Sequence, residues 1–221
     1  MSLQDITQQI DPEIRSDKSA HYLAFYEELF GRDRLNELNI LEVGVLHGGA
    51  LLMFARYFEN ARLLGIDVNA PSPKFYEGLK ANHLEGRVAF ARGSQSDRGF
   101  LDTAVGGHFG DRKLDIVIDD ASHYYRHTRV TFDHVFYQYL KSGGAYVIED
   151  WGCGYWPKWH DGNPNGRSGL PRLVKELVDL VALGDRTKLF GGKRAMRVKE
   201  EQASPVARMI VIPSIVALIK A

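Results

Sequence analysis

The sequence predicts an open, doubly wound α/β fold with a mostly parallel central sheet, and three features carry that prediction. Short runs rich in β-branched residues recur along the chain, at Asn39–Val43, Arg62–Ile66, Val88–Phe90, Leu114–Ile118 and Ala145–Ile148, and stretches with helical spacing separate them. Most of these runs are apolar nearly throughout rather than alternating, as expected of strands covered on both faces. Acids close three of them: Asp67 the second, Asp119-Asp120 the fourth and Glu149-Asp150 the fifth. Ligands of open α/β sheets bind beyond the carboxyl ends of the strands, where these acids fall.

The elements follow in order. Ala20–Phe30 has helical spacing and stops at Gly31. The first strand leads through a glycine turn into an amphipathic run from Leu51 to Phe58. Further helical patterns lie near Pro73–Ala81, Ser96–Ala104 and His127–Leu140, with another over Leu173–Leu183. The most apolar stretch, Met209–Ile219, carries Pro213 and is too short to span a bilayer as a helix, so it reads as two strands or a bent strand, the last antiparallel. One domain spans 1–221, with a helical cap (1–36), a ligand-binding core (37–150), an aromatic loop (151–171) and a final helix with strands (172–221).

Composition narrows the function. The 221 residues carry 28 Lys+Arg against 28 Asp+Glu, so no global basic field exists to hold a nucleic acid. The single cysteine, Cys153, excludes an intrachain disulfide, and the polar start from Met1 to Lys18 lacks the apolar core of a signal peptide. The expectation is a cytoplasmic enzyme with neither nucleic acid nor membrane as partner. The amino-terminal helix and the aromatic loop offer apolar surface for homo-oligomer formation.

The first strand-to-helix turn, Glu42-Val43-Gly44-Val45-Leu46-His47-Gly48-Gly49, bears on the cofactor. A dinucleotide fingerprint needs glycine at 44, 46 and 49; Leu46 breaks it, which disfavours NAD. What remains is an acid two residues before a glycine and a glycine pair opening a helix, with Asp67 placed to accept bonds from a ribose diol. Glu42, Gly44, Gly48 and Asp67 together resemble the cofactor site of class I S-adenosylmethionine-dependent methyltransferases, whose fold is Rossmann-like.

The acidic pairs add a second constellation. If their strands are neighbours, the tips lie roughly 5 Å apart. Carboxylates that close repel unless a cation or proton intervenes, and hard oxygen ligands favour Mg²⁺, Mn²⁺ or Ca²⁺. Helix capping is the competing explanation, and it accounts for one Asp better than for four acids ending two strands. His123 follows Asp120 by three residues, and imidazole is the side chain available as a free base near neutrality. His127, one helical turn on, is its nearest rival.

Asp17-Lys18 before an aromatic helix, Leu41-Glu42-Val43-Gly44-Val45 with Gly48-Gly49, Gly93-Ser94-Gln95-Ser96-Asp97, Ile118-Asp119-Asp120-Ala121-Ser122-His123 and Val147-Ile148-Glu149-Asp150 occur in that order. The order resembles the metal-dependent sugar O-methyltransferases of antibiotic biosynthesis, the macrocin and mycinamicin methyltransferases among them, a family pattern that takes in proteins called cephalosporin hydroxylases. The resemblance implies S-adenosylmethionine as methyl donor and Mg²⁺ (or Mn²⁺) held by Asp120, Glu149 and Asp150. It implies His123 as the base that deprotonates a hydroxyl of a small-molecule acceptor, with a sugar of a natural product as the expected class. Lys18 is expected to pair with the cofactor's carboxylate, and Gln95 and Asp97 to contact the adenine, with a cap on the next helix by Ser96 or Asp97 as the competing explanation. Asp119 faces the cofactor, with metal ligation as its alternative. Trp151, Tyr155 and Trp156 are acceptor contacts, although aromatics in such a loop serve a satellite core or an oligomer contact equally well. Ala121 stands where the family has glycine, and Trp151-Gly152-Cys153-Gly154-Tyr155 replaces a Thr-Ser-Tyr-like stretch. A hydroxylase-type oxidoreductase is the first alternative; a facial iron triad needs two histidines and one carboxylate, and one histidine is in place. A non-catalytic S-adenosylmethionine-binding protein is the second.

Overall fold

The computed structural model describes residues 1–182 and 204–221. A seven-stranded sheet is assembled from β1 (Asn39–Val43), β2 (Arg62–Asp67), β3 (Val88–Arg92), β4 (Leu114–Asp119), β5 (Leu140–Glu149), β6 (Val206–Ile212) and β7 (Ile215–Lys220), in the order β3-β2-β1-β4-β5-β7-β6. The first five strands are parallel; β7 runs antiparallel to β5, and β6 antiparallel to β7. The stretch around Pro213 is therefore two strands with a tight turn between them. No helix among the described residues is long and apolar enough to cross a membrane.

Strand alternation divides the core in two. Ile40, Ile116, Ile118 and Val147 face one side, packing with residues of α1 (Leu3–Gln8), α2 (Ala20–Phe30), α3 (Gly49–Tyr57) and α4 (Pro73–Ala81). Leu41, Val43, Val117, Tyr146 and Ile148 face the other, packing with α5 (Arg98–Phe109), a helix from Tyr125 to Phe136 and α7 (Gly169–Ala182). Phe54, Phe58, Phe132 and Phe136 are fully buried, and each such side chain contributes about 1.5–3 kcal/mol relative to exposure.

Several boundaries depart from the sequence expectations, α7 beginning at Gly169 and β3 running to Arg92 among them, and three departures have local reasons. The helix expected over Ser96–Ala104 begins at Arg98, because the Asp97 side chain caps it by accepting the Phe100 N–H at 3.1 Å, and it continues to Phe109. The helix expected over His127–Leu140 starts at Tyr125, is α-helical (α6) to Thr131, and widens into a π turn over Phe132–Phe136, where Phe132 and Phe136 stack with centroids 4.7 Å apart. β5 begins at Leu140 rather than Ala145, opposite a register shift in β4. Leu183, the last residue of the expected final helix, lies outside the described residues.

The strand order reverses between β1 and β4, and the cleft beyond their carboxyl ends is where the amino-terminal segment crosses. Gly49, the first residue of α3, permits that crossing: a Cβ there would lie 1.7 Å from the Ile14 carbonyl oxygen and 2.8 Å from the Ser16 nitrogen. The close approach carries Asp17 and Lys18 over the strand tips.

Gly49→Ala should lower the unfolding free energy by roughly 1–3 kcal/mol, since a backbone carbonyl must move. Gly107→Ala, exposed within α5 with nothing within 4 Å of the added methyl, should raise it by roughly 0.5–1 kcal/mol. Urea unfolding of both variants checks the contrast; equal effects would mean that the crossing segment does not pack as described.

Candidate active site

The strand tips, the glycine turn after β1 and the crossing segment enclose a cavity of about 990 Å³. That is at the upper end for small-molecule pockets and leaves room for two ligands side by side. Its floor is set by Gly44, whose φ of +93° belongs to the left-handed region and whose missing Cβ would fall 2.3 Å from the Asp120 carbonyl oxygen. The Gly44 N–H donates to the Ile66 carbonyl at 2.9 Å, and the Asp120 N–H to the Val43 carbonyl at 2.8 Å, so the β1 turn and the β4 tip are fixed against each other.

Alternation decides which acids meet. Glu42 on β1 and Glu149 on β5 point to the α2 side, where Asp120 joins them just past β4. The Lys18 ammonium, its side chain 3% exposed, lies 2.6 Å from Asp120 Oδ2 and 2.6 Å from Glu149 Oε2. Two tyrosines on one face of α2, four residues apart, complete the cluster: Tyr26 donates to Glu149 Oε1 at 2.5 Å, and Tyr22 donates to Asp150 Oδ1. Glu42 is 1% exposed and neither carboxylate oxygen has a partner.

The electrostatics follow from crowding. Burial pushes Glu42 well above the usual carboxylate range; Lys18 opposes the shift, while Asp120 and Glu149 reinforce it. Burial also raises Glu149, to about 7, against the pull of Lys18. Burial works against the Lys18 charge, yet Glu149, Asp120 and Glu42 outweigh it and hold the ammonium well above the ordinary lysine range. One buried cation therefore faces three buried or half-buried carboxyls, and burial favours the neutral form of Glu42.

A second grouping lies on the cavity side. His123 Nε2 is 3.9 Å from Asp120 Oδ1 and 3.9 Å from Asp150 Oδ2, and one donor atom from each of the three lies within 4.8 Å of the others. These donors suit a divalent cation, with Glu149 Oε2 adjacent through Lys18. His123 and Asp150 hold left-handed φ values of +52° and +54°; Leu46 and Ser214, also at the cavity, have +50° and +60°. Four of the five positive-φ non-glycine residues described thus line one cavity, as expected where function holds the backbone under strain. Ala121 is not in that region, so the turn does not require glycine there.

The remaining expected site residues divide. Asp67 Oδ2 accepts the Val45 and Leu46 N–H groups at 2.9 and 3.0 Å, pinning the glycine turn at the cavity wall, and retains lone pairs for a further donor. Gly48 is the left-handed N-cap of α3 and lies behind the wall, against Phe75. Asp119 points to the opposite face of the sheet from Glu42: Tyr146 donates to it at 2.9 Å and Gln95 Nε2 at 3.1 Å. Gln95 also accepts the Ser122 N–H, so its amide braces the β4 turn, and Asp97 is a helix cap. Trp151 packs against the α7-side core, Tyr155 lies beside Gly166 and Lys175, and Trp156 is 57% exposed. Trp159 is the tryptophan beside His123, with ring centroids 6.0 Å apart. His127 Nδ1 lies 3.2 Å from Ser122 Oγ at the cavity wall.

Sequence reasoning missed the roles of Tyr22 and Tyr26, although their spacing of four on an aromatic helix marks them as one face. It grouped Trp159 with Trp151 and Trp156 as one aromatic loop without singling out its place beside His123, and it missed the Pro213-Ser214 turn, which reaches the cavity from β6–β7. Neither has a local signal, since both depend on contacts distant in sequence.

Comparison with known proteins bears on the family and the fold. A family profile described as a methyltransferase domain matches residues 41–151. The chain is 34% identical over 163 residues to the demethylmacrocin O-methyltransferase of Streptomyces fradiae, covering 70% of this chain and 38% of that protein. It is 32% identical over 168 residues to the 8-demethyl-8-alpha-L-rhamnosyl tetracenomycin-C 2'-O-methyltransferase of Streptomyces olivaceus, covering 72% and 40%. The chain thus spans about two fifths of the length of these curated relatives. Among solved structures, a methyltransferase from the mycinamycin biosynthetic pathway in complex with Mg and SAH superposes with a TM-score of 0.65 at 22% identity, covering all of this chain and 49% of that one.

Burial pushes Asp119 up to about 6 from an unfolded value of 3.8, against the Tyr146 hydrogen bond. An acid with a raised folded pKa binds more protons folded than unfolded, so its contribution is most favourable below pH 4 and declines as pH rises through 4–6. Asp119→Asn should therefore gain stability relative to the parent on going from pH 4 to pH 7.5, by up to about 3 kcal/mol. Urea midpoints in chelator at both pH values measure it; a pH-independent difference would show that Asp119 ionises normally.

Proposed function

The chain belongs to the methyltransferase domain family, and from that premise we propose that it transfers a methyl group from S-adenosylmethionine to a hydroxyl of a small molecule, with Mg²⁺ or Mn²⁺ bound and His123 as general base. The observation that carries this reading is the convergence of Asp120, His123 and Asp150 in one cavity that the β1 glycine turn and Asp67 also line. The donor's methyl is already activated by its sulfonium, so the protein has only to align it with an oxygen and relieve that oxygen of its proton.

The residues divide that work. Asp67 accepts from a ribose diol with the lone pairs its backbone contacts leave free, and exposed Leu46 and Val68 give a flat purine an apolar wall. Lys18 and Gly44 line the methyl-donor side of the cavity, and Glu42 is buried behind that lining. Asp120 and Asp150, with Glu149 beside them, would hold a divalent ion, which would supply positive charge to acidify an acceptor hydroxyl. His123 takes the proton; the left-handed backbone there turns its Nε2 toward both aspartates, and Trp159 limits the ring's other side. A sugar hydroxyl is the acceptor of choice, because the Streptomyces olivaceus relative is named for methylating a rhamnosyl group, and an aromatic ring beside the base offers a face to the apolar side of a sugar.

Calorimetric titration with S-adenosylmethionine, S-adenosylhomocysteine and NAD, with and without Mg²⁺, tests the reading. Binding of the first two and not of NAD is expected; no adenosyl binding under any condition would sink it. Asp120→Ala should abolish metal-dependent turnover while leaving S-adenosylhomocysteine affinity nearly intact. His123→Ala should lower kcat by roughly 10²–10⁴ with little change in metal affinity; unchanged turnover would move the base to His127 or solvent.

A further inference from the structure

We propose that Lys18 is an exchangeable internal cation: its ammonium neutralises Asp120 and Glu149 in the metal-free protein, and a divalent ion held by oxygens of Asp120, Glu149 and Asp150 displaces it into the cavity. This rests on the metal part of the function proposed above and adds a competition built into the site.

Three observations lead there. Each outer carboxylate of the set is tied on one oxygen by a tyrosine of α2, Tyr26 on Glu149 Oε1 and Tyr22 on Asp150 Oδ1, leaving Glu149 Oε2 and Asp150 Oδ2 for a cation. Lys18 Nζ already occupies the space between Glu149 Oε2 and Asp120 Oδ2, 2.6 Å from each. Finally, the alternative ion position, which leaves Lys18 in place, uses His123 Nε2 as third donor.

Mg²⁺ takes oxygen ligands at about 2.0–2.1 Å and keeps near-octahedral geometry. An imidazole that ligates the ion cannot also accept the acceptor's proton, so an oxygen-only set needs Glu149. An ion shared by Glu149 and Asp120 occupies the same space as Nζ, and two cations at such separation repel strongly where water is excluded. Lys18 must therefore leave as the ion enters. The cavity that Lys18 already lines receives it, where its charge is available to an anionic ligand. Metal loading thus turns a structural ammonium into a ligand-binding one.

The test uses Mn²⁺ and the whole chain without other ligands. Titration followed by the paramagnetic signal of free Mn²⁺ should show Lys18→Met binding at least about tenfold more tightly than the parent, Glu149→Gln binding more weakly, and His123→Ala nearly unchanged. Strong weakening in His123→Ala with none in Glu149→Gln would overturn the proposal, because the ion would then sit outside Lys18. Amine acetylation of the unmodified protein, read at Lys18 by mass spectrometry against Lys74, needs no variant to fold: it should be several-fold faster with saturating Mn²⁺ than in chelator. Equal rates would also overturn the exchange. If neither parent nor Lys18→Met binds Mn²⁺ while S-adenosylhomocysteine still binds, the metal requirement falls and the exchange with it, but the cofactor assignment stands. If Mn²⁺ behaves as expected and no adenosyl ligand binds, the exchange stands and the methyl-transfer reading falls.

Discussion

The crowding of Glu42, Asp120, Glu149 and Asp150 at three adjacent strand tips is the constraint around which the molecule is arranged. Carboxylates in a mostly dry corner repel one another, and each loses hydration that must be replaced. Lys18 and the hydroxyls of Tyr22 and Tyr26 supply that replacement to Asp120, Glu149 and Asp150 from the amino-terminal segment, while both Glu42 oxygens stay without a partner. The segment reaches them only because Gly49 lets it pass against the start of α3. Helix packing on that face is thus subordinate to the charge: α2 presents an aromatic ridge to the core and two phenol groups to the acids.

Much of this was legible in the sequence. The β-branched runs located all five parallel strands, and the acids at their ends marked the cleft, since buried strands leave polar residues nowhere else to go. Glu42, Gly44, Asp67, Asp120, His123 and Asp150 come together as their positions at strand tips and turns imply. Asp119 shows where local reading stopped short: the expectation is that it faces the cofactor, whereas the two-residue period of a strand turns it to the face opposite Glu42, against Tyr146 and Gln95. Gln95 and Asp97 follow β3 at the right height, but one braces the β4 turn and the other caps a helix. The Lys18 pairing spans 102 and 131 residues, and no local pattern encodes contacts of that range.

The aromatic loop illustrates the same limit from another side. Three tryptophans within nine residues suggest one surface, yet they part company: Trp151 joins the α7-side core, Trp156 meets solvent and Trp159 stands beside His123. The backbone turns that separate them, through a 3₁₀ segment at Trp151–Tyr155, follow from the left-handed residue Asp150 at its head.

That left-handed residue, with Leu46, His123 and Ser214, has a consequence for anyone redesigning the chain. Glycine would relax the backbone at each position, so a selection for heat resistance, or a sequence-design method rewarding low conformational energy, would favour it there. At His123 and Asp150 the gain would delete an imidazole and a carboxylate from the cavity. The positions at which this chain is least comfortable are those an optimiser should be forbidden to touch.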